Sequence, residues 1–150
     1  MRSLKRQIAE LREFIRKNVG DQEAVQELGR LRGVSETQAA VLLGLVGQAS
    51  FSHRDQLVAY VGLDIMPRQS GLWQGRGKLS KRGNAYGRKV LYQIAWSLKT
   101  HNDTYREYYE RLYRTDGKHY TTCLMAVARK FLRFFYAYYW KGSVVIPSAA

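Results

Sequence analysis

The sequence predicts an all-α domain. It combines a helix-hairpin-helix-like pair, a basic glycine-rich loop and an amino-terminal coiled-coil-like helix. Three observations carry this. Apolar residues recur at three- and four-residue steps over most of the chain, and Ser, Asp and Asn stand where those patterns begin. No run alternates apolar and polar residues long enough for a strand ladder. At 150 residues and 45% hydrophobic, the chain is long enough for one domain with its own core.

Leu4, Ile8, Leu11 and Ile15 form the apolar stripe of a first helix that ends near Asn18, with residues 1–20 as a coiled-coil-like unit. Gly20-Asp21 breaks it, and residues 21–141 form the main domain. A second helix runs from about Gln22 to Leu31. Gly33 then separates it from an apolar helix, Glu36 to Val46, which Ser35 is expected to cap. This pair is either a plain αα-hairpin or one that offers backbone N–H groups at Gly33 and Ser35 to a DNA phosphate. Ser52 and Asp55 read as a capping box for a helix to about Val61, which Gly62 ends. Residues 63–79 read as a loop, with a short hairpin around Gly75-Arg76-Gly77. Ser80 is expected to cap a long helix, Lys81 to Thr100, that buries Val90, Leu91, Ile94 and Leu98. Asn102-Asp103 opens a helix to about Tyr113, Thr115-Asp116-Gly117 makes a turn, and a last helix runs from Tyr120 to Trp140. Residues 142–150 are expected to be a flexible tail.

Charge narrows the function. The chain carries 25 Lys+Arg against 12 Asp+Glu, a net of +13, which points to nucleic acid or an anionic surface. The excess is concentrated: residues 51–100 hold 9 basic and 2 acidic side chains. The stretch from Cys123 to Trp140 is apolar but carries Arg129, Lys130 and Arg133, so it reads as a core helix and not as a membrane span. The single cysteine, Cys123, forms no internal disulfide and fits a reducing cytoplasm. The start of the chain lacks the apolar core of a signal peptide. A cytoplasmic, nucleoid-associated location follows as an expectation.

His53, His101 and His119 fall in different predicted elements without a carboxylate cluster, so they read as surface or capping histidines and not as metal ligands. Tyr105, Tyr108, Tyr109 and Tyr113 share one helix. A tyrosine nucleophile could cut DNA, but this spacing is that of a core stripe. It is expected to pack against Phe131, Phe134, Phe135 and Tyr138.

Residues 66–96 concentrate the chemistry. No acidic residue lies between Ile65 and Asn102, while Arg68, Arg76, Lys78, Lys81, Arg82, Arg88 and Lys89 are all cationic. Ser80 and the helix start at Lys81, Arg82 and Gly83 would offer free N–H groups to a phosphate. Ser70 lies in the loop just before, close in sequence to Arg68. Phosphoryl transfer needs a nucleophile and nearby cations, so Ser70 is a candidate nucleophile. Phosphate binding without catalysis explains the charge equally well.

The ordered series LRGVSETQAAVLLGLVG, FSHRDQLVAYVGL, PRQSG and GKLSKRGNAYGRKVLYQIAW resembles the carboxy-terminal transposase domain of insertion-sequence one-hundred-and-ten-type transposases. These are DEDD-type, bridge-RNA-guided, serine-dependent recombinases related to pilin-gene invertases. The resemblance extends to about Lys141. It implies that Ser70, in the Ser70-Gly71 pair, attacks a DNA phosphodiester. It also matches Ser80-Lys81-Arg82-Gly83-Asn84 and Arg88-Lys89-Val90-Leu91-Tyr92 to family motifs. The family's Pro-Gly-Ile-Gly hairpin is here Arg32-Gly33-Val34-Ser35, and its proline is displaced to Pro67. The family's amino-terminal RuvC-like domain, with its metal-binding carboxylates, has no counterpart in these residues.

The resemblance therefore implies half of a composite active site, inactive alone and with no cofactor bound by this chain. Mg is expected in a RuvC-like domain or subunit. DNA, a guide RNA and a second copy of the chain are the expected partners, with no membrane. The alternatives are a non-catalytic nucleic-acid-binding module or regulator derived from such a transposase, and an assembly domain that oligomerises through its first helix and aromatic stripe.

Overall fold

The computed structural model describes residues 2–18, 21–47, 49–70, 73–80 and 82–146; at residues 2, 16, 66–70, 73–76 and 78 the description is of the backbone. The helices are α1 (Arg2–Asn18), α2 (Gln22–Gly29), α3 (Glu36–Val46), α4 (Arg54–Tyr60), α5 (Ala85–His101), α6 (Asp103–Glu110) and α7 (Tyr120–Tyr139), with a π-helical turn over Arg111–Thr115 after α6. The class is mostly helical. Between α4 and α5 the chain forms two strands, β1 (Ile65–Ser70) and β2 (Trp73–Leu79).

The helices pack because their apolar faces are wide. α3 buries Ala39, Ala40, Leu42, Leu43 and Val46, and α7 buries a stripe from Cys123 through Phe131 to Tyr136. α5 packs against both α7 and α3, and α4 packs against α7. Leu28, Leu57, Leu63, Leu91, Ile94, Leu98, Phe131 and Phe135 are fully buried between them. Such burial stabilises by roughly 1.5–3 kcal/mol per large apolar side chain. The link between α3 and α4 is tied down by α7: Tyr136 Oη donates to the Phe51 carbonyl at 3.2 Å, and Trp140 Nε1 to the Ala49 carbonyl at 3.2 Å.

α1 packs on α3 and α2 along one side. Its predicted stripe is only partly used: Ile15 meets the core, while Leu4, Ile8, Leu11 and Phe14 are 42–64% exposed.

Two helix starts differ from expectation, and a third, that of α6, comes where expected but without a side-chain cap. α4 begins one residue later: His53 is its N-cap, its Nδ1 accepting from Asp55 N at 3.3 Å, while Ser52 N and Oγ both donate to Gln56 Oε1 at 3.0 Å. α5 begins at Ala85 and not at Lys81. Asn84 Oδ1 caps it, accepting from Tyr86 N at 2.9 Å and Gly87 N at 3.4 Å. Asn102 precedes α6 but does not cap it; its Nδ2 reaches the Arg32 carbonyl at 3.0 Å and pins the α2–α3 link to the end of α5.

The segment read as a loop over 63–79 is an antiparallel ribbon from Ile65 to Leu79. Ser70 pairs with Trp73, Gln69 with Gln74, Arg68 with Gly75, Met66 with Lys78 and Ile65 with Leu79. The last described pair of the ladder is Ser70 with Trp73, and Gly75-Arg76-Gly77, expected as the hairpin turn, lies within β2. Register slips by one between Met66 and Arg68, so Arg76 and Gly77 oppose Pro67. Proline has no N–H to give to a ladder, and a bulge is where a sheet tolerates it. The tail is held as far as Ile146, which is buried, and Ser143 N donates to the Ala137 carbonyl at 3.0 Å.

Candidate nucleic-acid interface

The ribbon is closed at its base by Asp64 and Ser80. Ser80 N donates to the Asp64 carbonyl at 3.0 Å, and Ser80 Oγ donates to Asp64 Oδ1. Ser80 is therefore a clasp between the strand ends and not the cap of α5. Beyond it the chain must pass close to the end of α4. A Cβ on Gly83 would lie 2.2 Å from the Tyr60 carbonyl oxygen, and one on Gly62 would lie 2.7 Å from Gly83 N. Gly62 also has φ +73°, a left-handed conformation that favours glycine. Arg88 Nη1 donates to the Gly83 carbonyl at 2.7 Å, which holds this crossing from the α5 side.

This geometry changes the expected phosphate site. Of the free N–H groups predicted at Lys81, Arg82 and Gly83, those of Arg82 and Gly83 precede α5 and do not begin a helix, and those of Tyr86 and Gly87 are taken by Asn84. What remains is charge. Arg82, two residues beyond Ser80, and Lys89, in the second turn of α5, are exposed, Arg88 is half-buried, and Arg68, Arg76 and Lys78 belong to the ribbon strands. Lys81 lies outside the described residues. Ser70 ends β1, at the far end of the ribbon from the Asp64–Ser80 clasp.

Gly33 and Ser35 are elsewhere. Gly33 (φ +101°) faces α5, where a Cβ would meet Leu98 Cα at 3.0 Å. Ser35 Oγ accepts from Gln38 N at 3.2 Å while Ser35 N donates to Gln38 Oε1 at 3.0 Å, a complete capping box. Leu98 is thirteen residues along α5 from Ala85, about 20 Å at the helical rise. The αα-hairpin and the ribbon base thus stand at opposite ends of α5.

The tyrosine stripe is structural. Tyr105 and Tyr109 are buried, Tyr108 is half-buried and Tyr113 is exposed. Only Tyr105 meets one of the expected rings, Phe131, at 6.5 Å; Tyr109 stacks on Tyr113 at 5.7 Å and abuts Tyr120 at 5.9 Å. Tyr108 lies under the ammonium of Lys130 at 4.4 Å, and Tyr138 Oη donates to Glu27 Oε2. Burial raises the pKa of the Tyr105 phenol and pushes that of Tyr109 up to about 12, which disfavours the phenolate a nucleophile needs. His53 and His119 each cap a helix. Among the described residues no three of His, Cys, Asp and Glu converge on a possible metal position, and no helix is long and apolar enough to cross a membrane.

A basic helical domain that carries a β-ribbon is a form suited to nucleic acid. The comparison with known proteins is narrower. The family model described as the transposase IS116/IS110/IS902 family matches residues 25–110, more than half of the chain, and the chain belongs to that family. The insertion element IS900 uncharacterized 42 kDa protein of Mycobacterium paratuberculosis is 37% identical over an alignment of 93 residues that covers 59% of this chain and 22% of that protein. The chain thus spans about a fifth of that relative's length. The matched residues run from within α2 to the end of α6 and include the whole ribbon.

Two features of this region escaped sequence reading. Gly62 was legible only as a helix stop, and Gly83 only as a flexible residue near a ligand; their mutual packing has no local signal. The role of Asp64 was equally hidden, since its partner is sixteen positions away.

Proposed function

We propose that this transposase domain binds DNA through the ribbon and the start of α5, and that Ser70 is the nucleophile of a composite recombinase site. The observation that carries the reading is the ribbon: fifteen residues, Ile65–Leu79, without an acidic side chain, with Ser70 at the end of β1. A two-stranded ribbon fits the major groove, and cations along it can position a duplex by its phosphates. Ser70 Oγ would form a bond to phosphorus as a phosphorus–oxygen bond to the sugar breaks, the departing oxygen taking up a proton.

The serine proton needs an acceptor, and this chain offers none close in sequence. Asp64, the nearest carboxylate, already accepts from Ser80. The donor set does not fit a resident metal either, because the described acidic and histidine side chains are dispersed. On this reading the base and the Mg expected from the resemblance come from a RuvC-like domain or subunit, and the guide RNA from the wider assembly. The exposed apolar residues of α1 support self-association through that helix. Sedimentation of Leu11→Asp should then show a smaller species than wild type, and equal sizes would remove α1 from the interface.

DNA titrations at several salt concentrations test the core of the reading. Changing Lys81 and Arg82 together to Ala should flatten the log K against log salt slope by about 0.9 for each lost phosphate contact on duplex. Identical slopes would take this segment out of the interface, and absent salt-dependent binding would sink the reading itself.

A further inference from the structure

Four cations among the described residues are half-buried: Arg88, Lys99, Arg129 and Lys130. Three have partners within the fold. Arg88 donates to the Gly83 carbonyl, Lys99 lies 4.3 Å over the Tyr109 ring, and Lys130 lies 4.4 Å over Tyr108. Arg129 alone makes no hydrogen bond, ion pair or ring contact, although its neighbour Arg133 pairs with Asp55 at 3.5 Å. An arginine stays charged in proteins, so a partly desolvated guanidinium without a partner costs stability unless something outside the fold completes it.

Arg129 lines a cleft of about 430 Å³ between α7 and the base of the ribbon, together with Thr121, Thr122, Gly77, Ile65 and Leu79. The two threonines are exposed, Gly77 leaves the ribbon wall without a side chain, and among the described residues no acidic one lines the cleft. The end of α7 is not the attraction, since His119 Nδ1 already accepts from Thr121 N at 3.3 Å. Burial is the main influence lowering the pKa of Arg129, with Tyr108 opposing and Arg133 adding to it.

We infer that this cleft is a second nucleic-acid contact, in which Arg129 grips a backbone phosphodiester with Thr121 and Thr122 as supporting donors. The inference rests on the DNA-binding reading above and adds a site to it. The guanidinium fork matches two phosphate oxygens at once, which a carbonyl or a single hydroxyl does not use fully. The phosphate is not the one Ser70 would attack. Ser70 is five residues along β1 from Ile65, about 17 Å at the strand rise, so the cleft takes a phosphate farther along the backbone.

The test is fluorescence anisotropy of a labelled mixed-sequence duplex at several salt concentrations, with wild type, Arg129→Gln and Arg129→Lys, and thermal melts of the free proteins. Arg129→Gln should bind roughly tenfold more weakly at low salt and lower the slope by about 0.9. Arg129→Lys should keep the slope and lose a few-fold. The free Arg129→Gln protein should melt at or above the wild-type temperature, because an unpaired desolvated charge has gone. Wild-type affinity and slope for Arg129→Gln would overturn the site, as would a lowered melting temperature, which would reveal a partner inside the chain. If Lys81→Ala/Arg82→Ala weakens binding and Arg129→Gln does not, the ribbon reading stands and this site falls. If wild type shows no salt-dependent binding, the ribbon reading falls first.

Discussion

Ser80 and Asp64 are joined twice, backbone to backbone at 3.0 Å and hydroxyl to carboxylate, at the point where the ribbon leaves the helices. Asp64 is the last acidic residue before a long cationic stretch, and its carboxylate fixes the ribbon's base. Ser80→Ala should cost about 1.5–3 kcal/mol, the usual range for a hydrogen bond to a charged group. It should also speed amide exchange across Met66–Lys78 more than in α7. Equal exchange in both regions would show that the clasp does not hold the ribbon.

Gly62 and Gly83 make the second constraint on the same crossing. With the Tyr60 carbonyl 2.2 Å from the position of a Gly83 Cβ, relief requires the backbone to move. Gly83→Ala should destabilise by about 3 kcal/mol, at the upper end for overpacking, whereas Gly117→Ala, which meets nothing within 4 Å, should cost only the strain of its positive φ, roughly 1 kcal/mol. Denaturant melts of the two variants decide the matter. Equal midpoints would mean that the crossing is loosely packed.

The helices were legible because burial imposes a period: Val90, Leu91, Ile94 and Leu98 are all buried, as their spacing predicts. The ribbon was not legible. IMPRQS and WQGRGKL do not alternate apolar with polar residues, and Pro67, Gly75 and Gly77 argue against strands. Backbone pairing holds them, and a bulge absorbs the proline. The start of α5 was misplaced because Ser80-Lys81 reads as a cap. Two physical facts move it: Gly83 is pressed against α4, and Asn84 offers a better-placed oxygen. The cationic character of the site was visible in the sequence. Its division between the two ends of α5 was not, because that depends on which helices pack together.

Tyr109 gives a pH signature. Its phenol is raised to about 12 by burial first, then by Cys123, Tyr120, Tyr113 and Glu110. The Lys99 ammonium, 4.3 Å over the ring, opposes this. Below pH 10 the phenol is protonated in both folded and unfolded chains. Between about pH 10 and 12 the unfolded chain loses its proton first, so stability falls as pH rises, by an amount on the order of 2 kcal/mol. Tyr109→Phe should match wild type at pH 8 and lose less stability by pH 11. Parallel losses in urea melts at both pH values would place the titration elsewhere.

Ser70 sets the last test. A hydroxyl is a weak nucleophile unless a base or metal activates it. The cations around the ribbon can stabilise charge that develops on a phosphate but cannot accept the serine proton. The isolated chain should therefore bind DNA and leave it uncut. Cleavage should appear only when a RuvC-like domain, a divalent metal and the guide RNA are supplied. Ser70→Ala should then abolish the covalent protein–DNA product, while binding stays within a few-fold because charge dominates the affinity. Labelled DNA on a denaturing gel, with wild type and Ser70→Ala and with or without the added domain, reads this directly. An adduct that persists in Ser70→Ala would move the nucleophile to another residue. Cutting by the isolated chain would mean that the chain carries its own base.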